Sequence, residues 1–195
     1  FGGAGEHMVV KGFRGVIGDK ARTVSVWAKT NDTEGSLLAW GSNGGGRFWD
    51  FDIINGNLGL RVNNGRLETV QSVNNNAWRH LAVVFPSAAE VLDDVVLYVD
   101  GIAQARTLSA NPVIDTGDEN DLLIGTNLTG NNFAGVLDEI RIYERGLSSN
   151  EVMSIYLDGT MVFTTSSTAQ PPVVELSNVI AEANASVRVV GELVS

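Results

Sequence analysis

Hydrophobic and polar residues alternate with a period of two along most of the first 143 residues. This alternation is typical of β-strands that pack one face on a core and turn the other to solvent. The runs that show it, or that are apolar throughout, are residues 23–29, 36–40, 47–54, 58–62, 78–85, 95–99, 122–124 and 136–143. In the third run, Trp49, Phe51 and Ile53 point one way, and Phe48, Asp50, Asp52 and Ile54 point the other.

Turn residues separate these runs. Asn55-Gly56-Asn57 and Asn63-Asn64-Gly65 lie one short strand apart, and Asp100-Gly101 follows an apolar run. Asn, Asp and Gly favour tight turns because they tolerate positive φ, and Asp-Gly is a strong hairpin dipeptide. The spacing predicts a meander of antiparallel strands.

One segment has helical periodicity. Ser148 is followed three residues later by Glu151, which is the pattern of a capping box. Val152, Ile155 and Tyr156 then fall on one helical face. The sequence predicts one short helical turn over residues 149–156.

The composition changes after Phe163, because every aromatic residue and all but one of the 22 glycines lie at or before it. We predict a domain over 1–163 and a polar linker over 164–172 that ends in Pro171-Pro172. Residues 173–195 cannot form a core of their own. They are either the first strands of a following domain or an arm that docks elsewhere, and Val187–Val190 could add a strand to a bare sheet edge.

Charge and cysteine content narrow the function classes. The 195-residue chain has a net charge of −10, a pI of about 4.5 and no cysteine. An acidic surface repels phosphate, so nucleic acid is not an expected partner. Disulfides and thiol catalysis are excluded, and no apolar run approaches the roughly 18 residues of a membrane span, so no membrane insertion is expected. Since the chain begins at Phe1 without a signal-like segment, we interpret it as part of a longer protein.

Several motifs occur in an order typical of one family. They are Phe1-Gly2-Gly3, Thr23-Val24-Ser25-Val26-Trp27, Trp78-Arg79-His80, Leu97-Tyr98-Val99-Asp100-Gly101, Leu123-Ile124-Gly125 and the run Phe133–Ser148. Over about residues 1–162 the chain resembles the laminin-G-like, concanavalin A-like jelly-roll family, in the bacterial type found in large extracellular proteins. The resemblance implies an all-β fold, a two-sheet antiparallel jelly-roll sandwich, in a secreted or cell-surface protein. The tail from Pro171 resembles the opening of an immunoglobulin-like repeat.

The function implied by this resemblance is binding. The family includes lectins, modules appended to enzymes, adhesins and spacers. We expect a carbohydrate-binding module with neighbouring domains of the same polypeptide as its other partners. The alternative is a structural or adhesion spacer without a small ligand of its own.

Catalysis is not expected. Related glucanases carry carboxylates at i, i+2 and i+5 of one strand, where they act as acid, helper and nucleophile. Asp50 and Asp52 match the first two positions, but no carboxylate follows at the third. The sequence therefore predicts that the chain is not an enzyme.

A candidate sugar site lies around the glycine-rich loop 41–46. Sugars present apolar C–H patches and pairs of hydroxyls, which aromatic rings and planar polar groups recognise. The candidate ligand-binding residues near this loop are Trp40, Arg47, Trp49, Asp50 and Asp52. Trp40 or Trp49 would supply the stacking face, and alternation indicates that only one of them is exposed. The alternative is that both tryptophans are core residues.

A candidate metal site is Asp138, which by strict alternation shares a face with Val136, Ile140 and Ile142. An ionised carboxylate among apolar neighbours must be paired, hydrogen-bonded or metal-bound. The resemblance implies a structural Ca²⁺ here, and the alternative is a carboxylate bonded to backbone N–H groups. The acidic loop 115–121 is a second candidate Ca²⁺ site, but its spacing is not that of an EF-hand, which favours a solvated loop. His80 is interpreted as a structural, hydrogen-bonded histidine.

Overall fold

Residues 1–42, 47–160 and 187–188 are described by a computed structural model. They form antiparallel strands and one α-helix, which confirms the all-β fold class. The strands are β1 Met8–Val10, β2 Arg22–Lys29, β3 Glu34–Gly41, β4 Phe48–Ile54, β5 Asn57–Val62, β6 Gly65–Ser72, β7 Arg79–Phe85, β8 Val96–Val99, β9 Ile102–Ala103, β10 Arg106–Leu108, β11 Asn120–Ile124, β12 Val136–Tyr143 and β13 Val187–Arg188. The helix, α1, runs from Ser149 to Thr160 and is four residues longer than predicted.

The strands form two sheets. The seven-stranded sheet has the order β1-β11-β3-β4-β5-β6-β10, and the six-stranded sheet has the order β13-β12-β2-β7-β8-β9. The predicted meander is β3 to β6. Asn55 and Gly56 at its second turn have φ angles of 53° and 79°, and Asn63 at its third has 57°. Because two-residue hairpins with the right twist need positive φ, these Asn and Gly residues fix the register of the meander.

The core lies between the sheets and follows the predicted alternation. Trp49, Phe51 and Ile53 of β4 are fully buried there with apolar residues of β2 and β7. Each such side chain stabilises the fold by about 1.5–3 kcal/mol. The opposite face of β4 is therefore free to carry polar groups.

The outer face of the six-stranded sheet is covered by α1. Val152 and Ile155 pack on Ala82, Val84 and Tyr98 of this sheet. The helix begins with the predicted capping box, in which the Ser148 amide donates to Glu151 Oε2 at 2.8 Å. A Cβ on Gly159 would lie 2.2 Å from Trp27 Nε1, so a glycine is required where the helix end meets the sheet.

Strand β12 is joined to both ends of the described chain. At its start, Gly2 pairs with Ala134, and the Gly135 amide donates to the Phe1 carbonyl at 2.9 Å. At its other end, β13 pairs antiparallel with Arg141 and Ile142. Two residues of the tail therefore form a sheet edge. The linker 164–172 and the rest of 173–195 lie outside the described residues, so their assignment stays a prediction.

Within residues 1–42, 47–160 and 187–188, no helix is both long and apolar enough to cross a membrane.

Candidate functional site

The outer face of the seven-stranded sheet carries a cluster of ionisable side chains at its centre. As the alternation predicts, Asp50 and Asp52 of β4 both lie on this face, opposite the core residue Trp49. The antiparallel register sets their neighbours: Asp50 lies between Ala39 and Arg61, and Asp52 lies between Ser36 and Gly59.

Asp50 is held by two hydrogen bonds. Ser36 Oγ donates to Oδ1 at 2.5 Å, and Asn127 Nδ2 donates to Oδ2 at 2.7 Å. The side chain is almost fully buried. Burial raises the pKa of Asp50, and the bonds from Ser36 and Asn127 oppose that rise. Asp50 is therefore a fixed acceptor with a set orientation.

Asp52 is buried completely and is paired only by charge. Arg61 Nη1 lies 3.1 Å from Asp52 Oδ2, but the contact lacks hydrogen-bond geometry. Neither carboxyl oxygen accepts a hydrogen bond from the residues that the structure describes. Burial, followed by the charge of Asp50, raises the pKa of Asp52 well above its ordinary value, and Arg61 only partly offsets this. Asp52 thus favours its neutral form far more than an exposed aspartate does.

Glycine at position 59 makes room for Asp52. A Cβ there would lie 2.7 Å from Asp52 Oδ1 and 2.4 Å from the Ile54 side chain. The neighbouring Arg61 completes the cluster, because its Nη2 lies 2.9 Å from Glu34 Oε2. One guanidinium therefore bridges Asp52 and Glu34.

The loop between β11 and β12 is fastened to this cluster by Asn127. Asn127 Oδ1 accepts bonds from the Thr129 amide at 3.0 Å, the Thr129 hydroxyl at 2.9 Å and the Asn131 amide at 3.0 Å. Its Nδ2 meanwhile donates to Asp50. The same side chain thus shapes the loop and orients the carboxylate.

A pocket opens between this loop and the sheet. Its space is about 380 Å³ including the open mouth, and its lining residues are Ala39, Phe48, Asp50, Arg61, Asn127, Leu128 and Thr129. The cavity volume without the open mouth is about 90 Å³, which is below the roughly 300–1,000 Å³ of pockets that bury a drug-sized ligand, so this is a shallow surface pocket. Apolar groups and a few fixed polar groups line it together, which is the usual composition of a small-molecule site.

Trp40 and Trp49 are not part of this pocket. Both are fully buried, and their rings stack in the core with centroids 5.7 Å apart. Trp40 Nε1 donates to the Val16 carbonyl at 3.0 Å, which fixes the ring between the sheets. The hypothesis that one tryptophan offers a stacking face is wrong in this structure, and the alternative that both are core residues is correct.

Arg47 is directed away from the pocket. It is exposed, and its Nε lies 3.3 Å from Asp115 Oδ2 at the start of the acidic loop 115–121. The glycine-rich stretch 43–46 that was predicted to meet a ligand lies outside the described residues. Of the five predicted ligand-binding residues, Asp50 lines the pocket and Asp52 lies behind it.

Asp138 does not lie on an apolar face. A β-bulge interrupts β12 between Asp138 and Arg141, and Glu139 has a φ of 48°. The extra residue shifts the register, so Asp138 and Val136 are exposed while Ile140 and Ile142 are buried. Asp138 Oδ1 accepts a bond from the Glu139 amide at 2.7 Å, which is the kind of contact that the alternative interpretation required.

The argument that placed Ca²⁺ at Asp138 therefore lacks its premise, although binding itself stays a prediction. Across residues 1–42, 47–160 and 187–188, no group of three or more His, Cys, Asp or Glu side chains is arranged to hold a metal ion. In the acidic loop, Asp115 faces Arg47, and Asp121 accepts from the Gly12 amide.

His80 lies beneath α1 rather than near the pocket. Its ring is between Trp27, at a centroid distance of 5.5 Å, and Tyr156, at 6.1 Å. It is almost fully buried, and neither nitrogen has a hydrogen-bond partner among the described residues, so the prediction of a hydrogen-bonded histidine was wrong. Burial, with a smaller contribution from Arg141, lowers the pKa of His80 to about 4.

Sequence reasoning missed most of the pocket. Arg61 could have been found, because counting back from the Asn55-Gly56 turn pairs it with Asp50. Asn127 comes from a loop 77 positions away, and the sequence carries no local signal for that contact.

Comparisons with known proteins agree with this fold. A laminin-G family model, described as the concanavalin A-like lectin/glucanases superfamily, matches residues 2–153. No curated protein sequence matches the chain.

Three solved structures illustrate the likeness. One is domain 4 of AbnA, a GH43 extracellular arabinanase from Geobacillus stearothermophilus in complex with arabinotriose, with a TM-score of 0.55, 21% identity and coverage of 72% of this chain and 68% of that one. The CBM40 of the Ruminococcus gnavus IT-sialidase has a TM-score of 0.56 and 17% identity, with coverage of 77% and 96%. Domains LG4-5 of the mouse laminin alpha1 chain have a TM-score of 0.54 and 12% identity, with coverage of 74% and 40%.

Proposed function

Since the chain belongs to the concanavalin A-like lectin/glucanase superfamily, we propose that it is a non-catalytic, extracellular module that binds carbohydrate. The observation that carries the proposal is the pocket beside Asp50 on the outer face of the seven-stranded sheet. The similar arabinanase domain is described in complex with arabinotriose, which supports the same class of ligand.

The chemistry of the pocket suits hydroxyl groups. Asp50 presents a carboxylate that Ser36 and Asn127 already orient, so binding a hydroxyl there requires little further ordering. Phe48 and Leu128 supply apolar surface for the C–H face of a sugar.

The proposed role is non-catalytic because β4, among the described residues, does not present the glucanase arrangement of carboxyls. Glycoside hydrolysis of this type needs a pair of carboxyls on either side of the scissile bond. Asp52 is behind Asp50 and fully buried, and the i+5 position is Asn55 at a turn. Asp50 therefore has a binding role without a catalytic partner on this strand.

The experiment is a glycan array followed by titration calorimetry on the glycan with the strongest signal. Asp50→Ala should weaken binding about tenfold or more, because losing a charge-assisted hydrogen bond costs roughly 1.5–3 kcal/mol. Asp118→Ala, in the exposed acidic loop, is the matched control and should bind as the wild type does. Equal affinity of the wild type, Asp50→Ala and Asp118→Ala would show that the glycan does not bind at Asp50. An array without any signal would favour the spacer function.

A further inference from the structure

We infer that the Asp50 pocket selects an uncharged sugar ring and rejects sugars that carry a carboxylate or a sulfate. This inference rests on the proposed carbohydrate function and names the class of sugar. It follows from how the charges of the pocket are already paired.

The cation in the pocket is occupied by its own neighbours. Arg61 is the single cationic side chain among the described lining residues. Its Nη1 lies 3.1 Å from Asp52 and its Nη2 lies 2.9 Å from Glu34. An acidic ligand would have to compete with the Glu34 carboxylate and the Asp52 carboxyl group, which already lie against this guanidinium.

Other cations nearby are also paired. Arg47 lies against Asp115, and Arg66 Nη2 is 3.4 Å from Glu68 Oε1.

Acidic side chains also lie at the pocket. Asp50 lines it, and Glu34 lies close behind, against Arg61. A ligand carboxylate or sulfate would meet these like charges in a partly buried site, where repulsion is screened less than in water.

A hydroxyl fits the same groups without conflict. Each Asp50 oxygen accepts one hydrogen bond in the structure and keeps a second lone pair. Asn127 Nδ2 has a second N–H, and the Thr129 hydroxyl, which donates to Asn127 Oδ1, can accept. Since a hydroxyl both donates and accepts, a pair of ring hydroxyls can use Asp50 and Asn127 together.

The first test uses the unaltered protein and needs no variant. A glycan array would present each terminal sugar in matched forms: neutral, sialylated and sulfated. Calorimetry would then compare glucose with glucuronic acid and galactose with galacturonic acid, because the two members of each pair differ only in the carboxylate. We expect the neutral member of the best pair to bind at least tenfold more tightly.

A second test releases the cation. The double variant Glu34→Gln with Asp52→Asn leaves Arg61 without its two carboxylates, so the preference for the neutral ring should fall by tenfold or more. Glu68→Gln, which removes the carboxylate beside Arg66 outside the pocket, is the matched control and should keep the wild-type preference. Melting curves of each variant would verify folding.

The outcomes separate the two levels of the proposal. Equal or tighter binding of the acidic sugars, lost in Asp50→Asn, would overturn the inference and leave the carbohydrate function standing. Binding of neither class would overturn both.

Discussion

The two outer faces of the sandwich both bury an ionisable group without a hydrogen-bond partner, but they do so in different surroundings. Under α1, His80 is enclosed by Trp27 and Tyr156. On the opposite sheet, Asp52 lies behind a pocket among other charged side chains. Burial disfavours the charged form of both, which lowers one pKa and raises the other.

The difference shows how to separate a structural group from a site. His80 is closed off by aromatic rings, so its lowered pKa reflects burial, with a smaller contribution from Arg141, and no accessible space. Asp52 is connected through Arg61 and Asp50 to a space that a ligand can enter. A perturbed pKa thus indicates a functional site only where an accessible pocket accompanies it.

A large effect of pH on the free energy of unfolding is expected from His80, which lies beneath α1. The unfolded chain protonates His80 near pH 6.5, whereas the folded protein does so only near pH 4. The contribution of His80 to stability is therefore present above pH 6.5 and lost as the pH falls toward 4. The shift corresponds to about 3 kcal/mol, at 1.36 kcal/mol per pKa unit.

His80→Phe keeps an aromatic ring in the stack and removes the proton, so it should abolish this loss. Urea unfolding between pH 7.5 and 4 measures the effect. His7→Asn, at an exposed histidine, is the matched control and should behave as the wild type does. If the free energy of unfolding falls with pH equally in His80→Phe and the wild type, His80 is not the group responsible.

A pH effect on stability of opposite sign is expected from Asp52, behind the pocket. Asp52 has its pKa raised by burial, so the folded state holds a proton that the unfolded chain releases near pH 4. Its contribution to stability is present below that pH and is lost as the pH rises toward the folded pKa.

Asp52→Asn should therefore remove a decline in unfolding free energy above pH 4, measured in the same urea series. Between pH 4 and 6.5, a rise in pH increases the contribution of His80 to stability and decreases that of Asp52. Removing either titrating group should therefore leave the pH dependence of the other. An Asp52→Asn protein whose pH dependence matches that of the wild type would show that Asp52 is ionised in both states.

The smallest effect is expected at Asp138, which lies on neither of these buried clusters. Surface substitutions usually change stability by less than about 0.5 kcal/mol, so Asp138→Asn should melt as the wild type does in EDTA. A Ca²⁺-dependent rise in melting temperature that Asp138→Asn abolishes would instead support the predicted metal site. Identical wild-type melting curves in EDTA and in millimolar Ca²⁺ would contradict the predicted Ca²⁺ site.

Local patterns predicted the strands, the turns and the faces of β4, because alternation and positive-φ residues act over a few positions. They failed where the strand pairing was irregular. The bulge at Glu139 places Asp138 on the exposed face, and alternation alone does not indicate that a residue is inserted.

Trp40 illustrates a second limit. Nearly the whole of β3 is buried on both faces, so alternation along it cannot tell the core face from the outer one. Asn127 illustrates a third, because its bond to Asp50 depends on the path of a loop between β11 and β12. The carboxylates of the site and the cross-strand position of Arg61 were accessible to sequence reasoning, while the loop residue Asn127 that orients Asp50 was not.

The attachment of Phe1 and of residues 187–188 to the two ends of β12 has a mechanical consequence. Phe1 is bonded at Gly135, just before β12, and β13 pairs near its other end at Arg141 and Ile142. Tension applied between Phe1 and Val187 would enter and leave the sandwich along this one strand. Because the chain from Phe1 continues into β1 of the seven-stranded sheet, tension would reach the sheet that carries the Asp50 pocket only after the bond at Gly135 breaks.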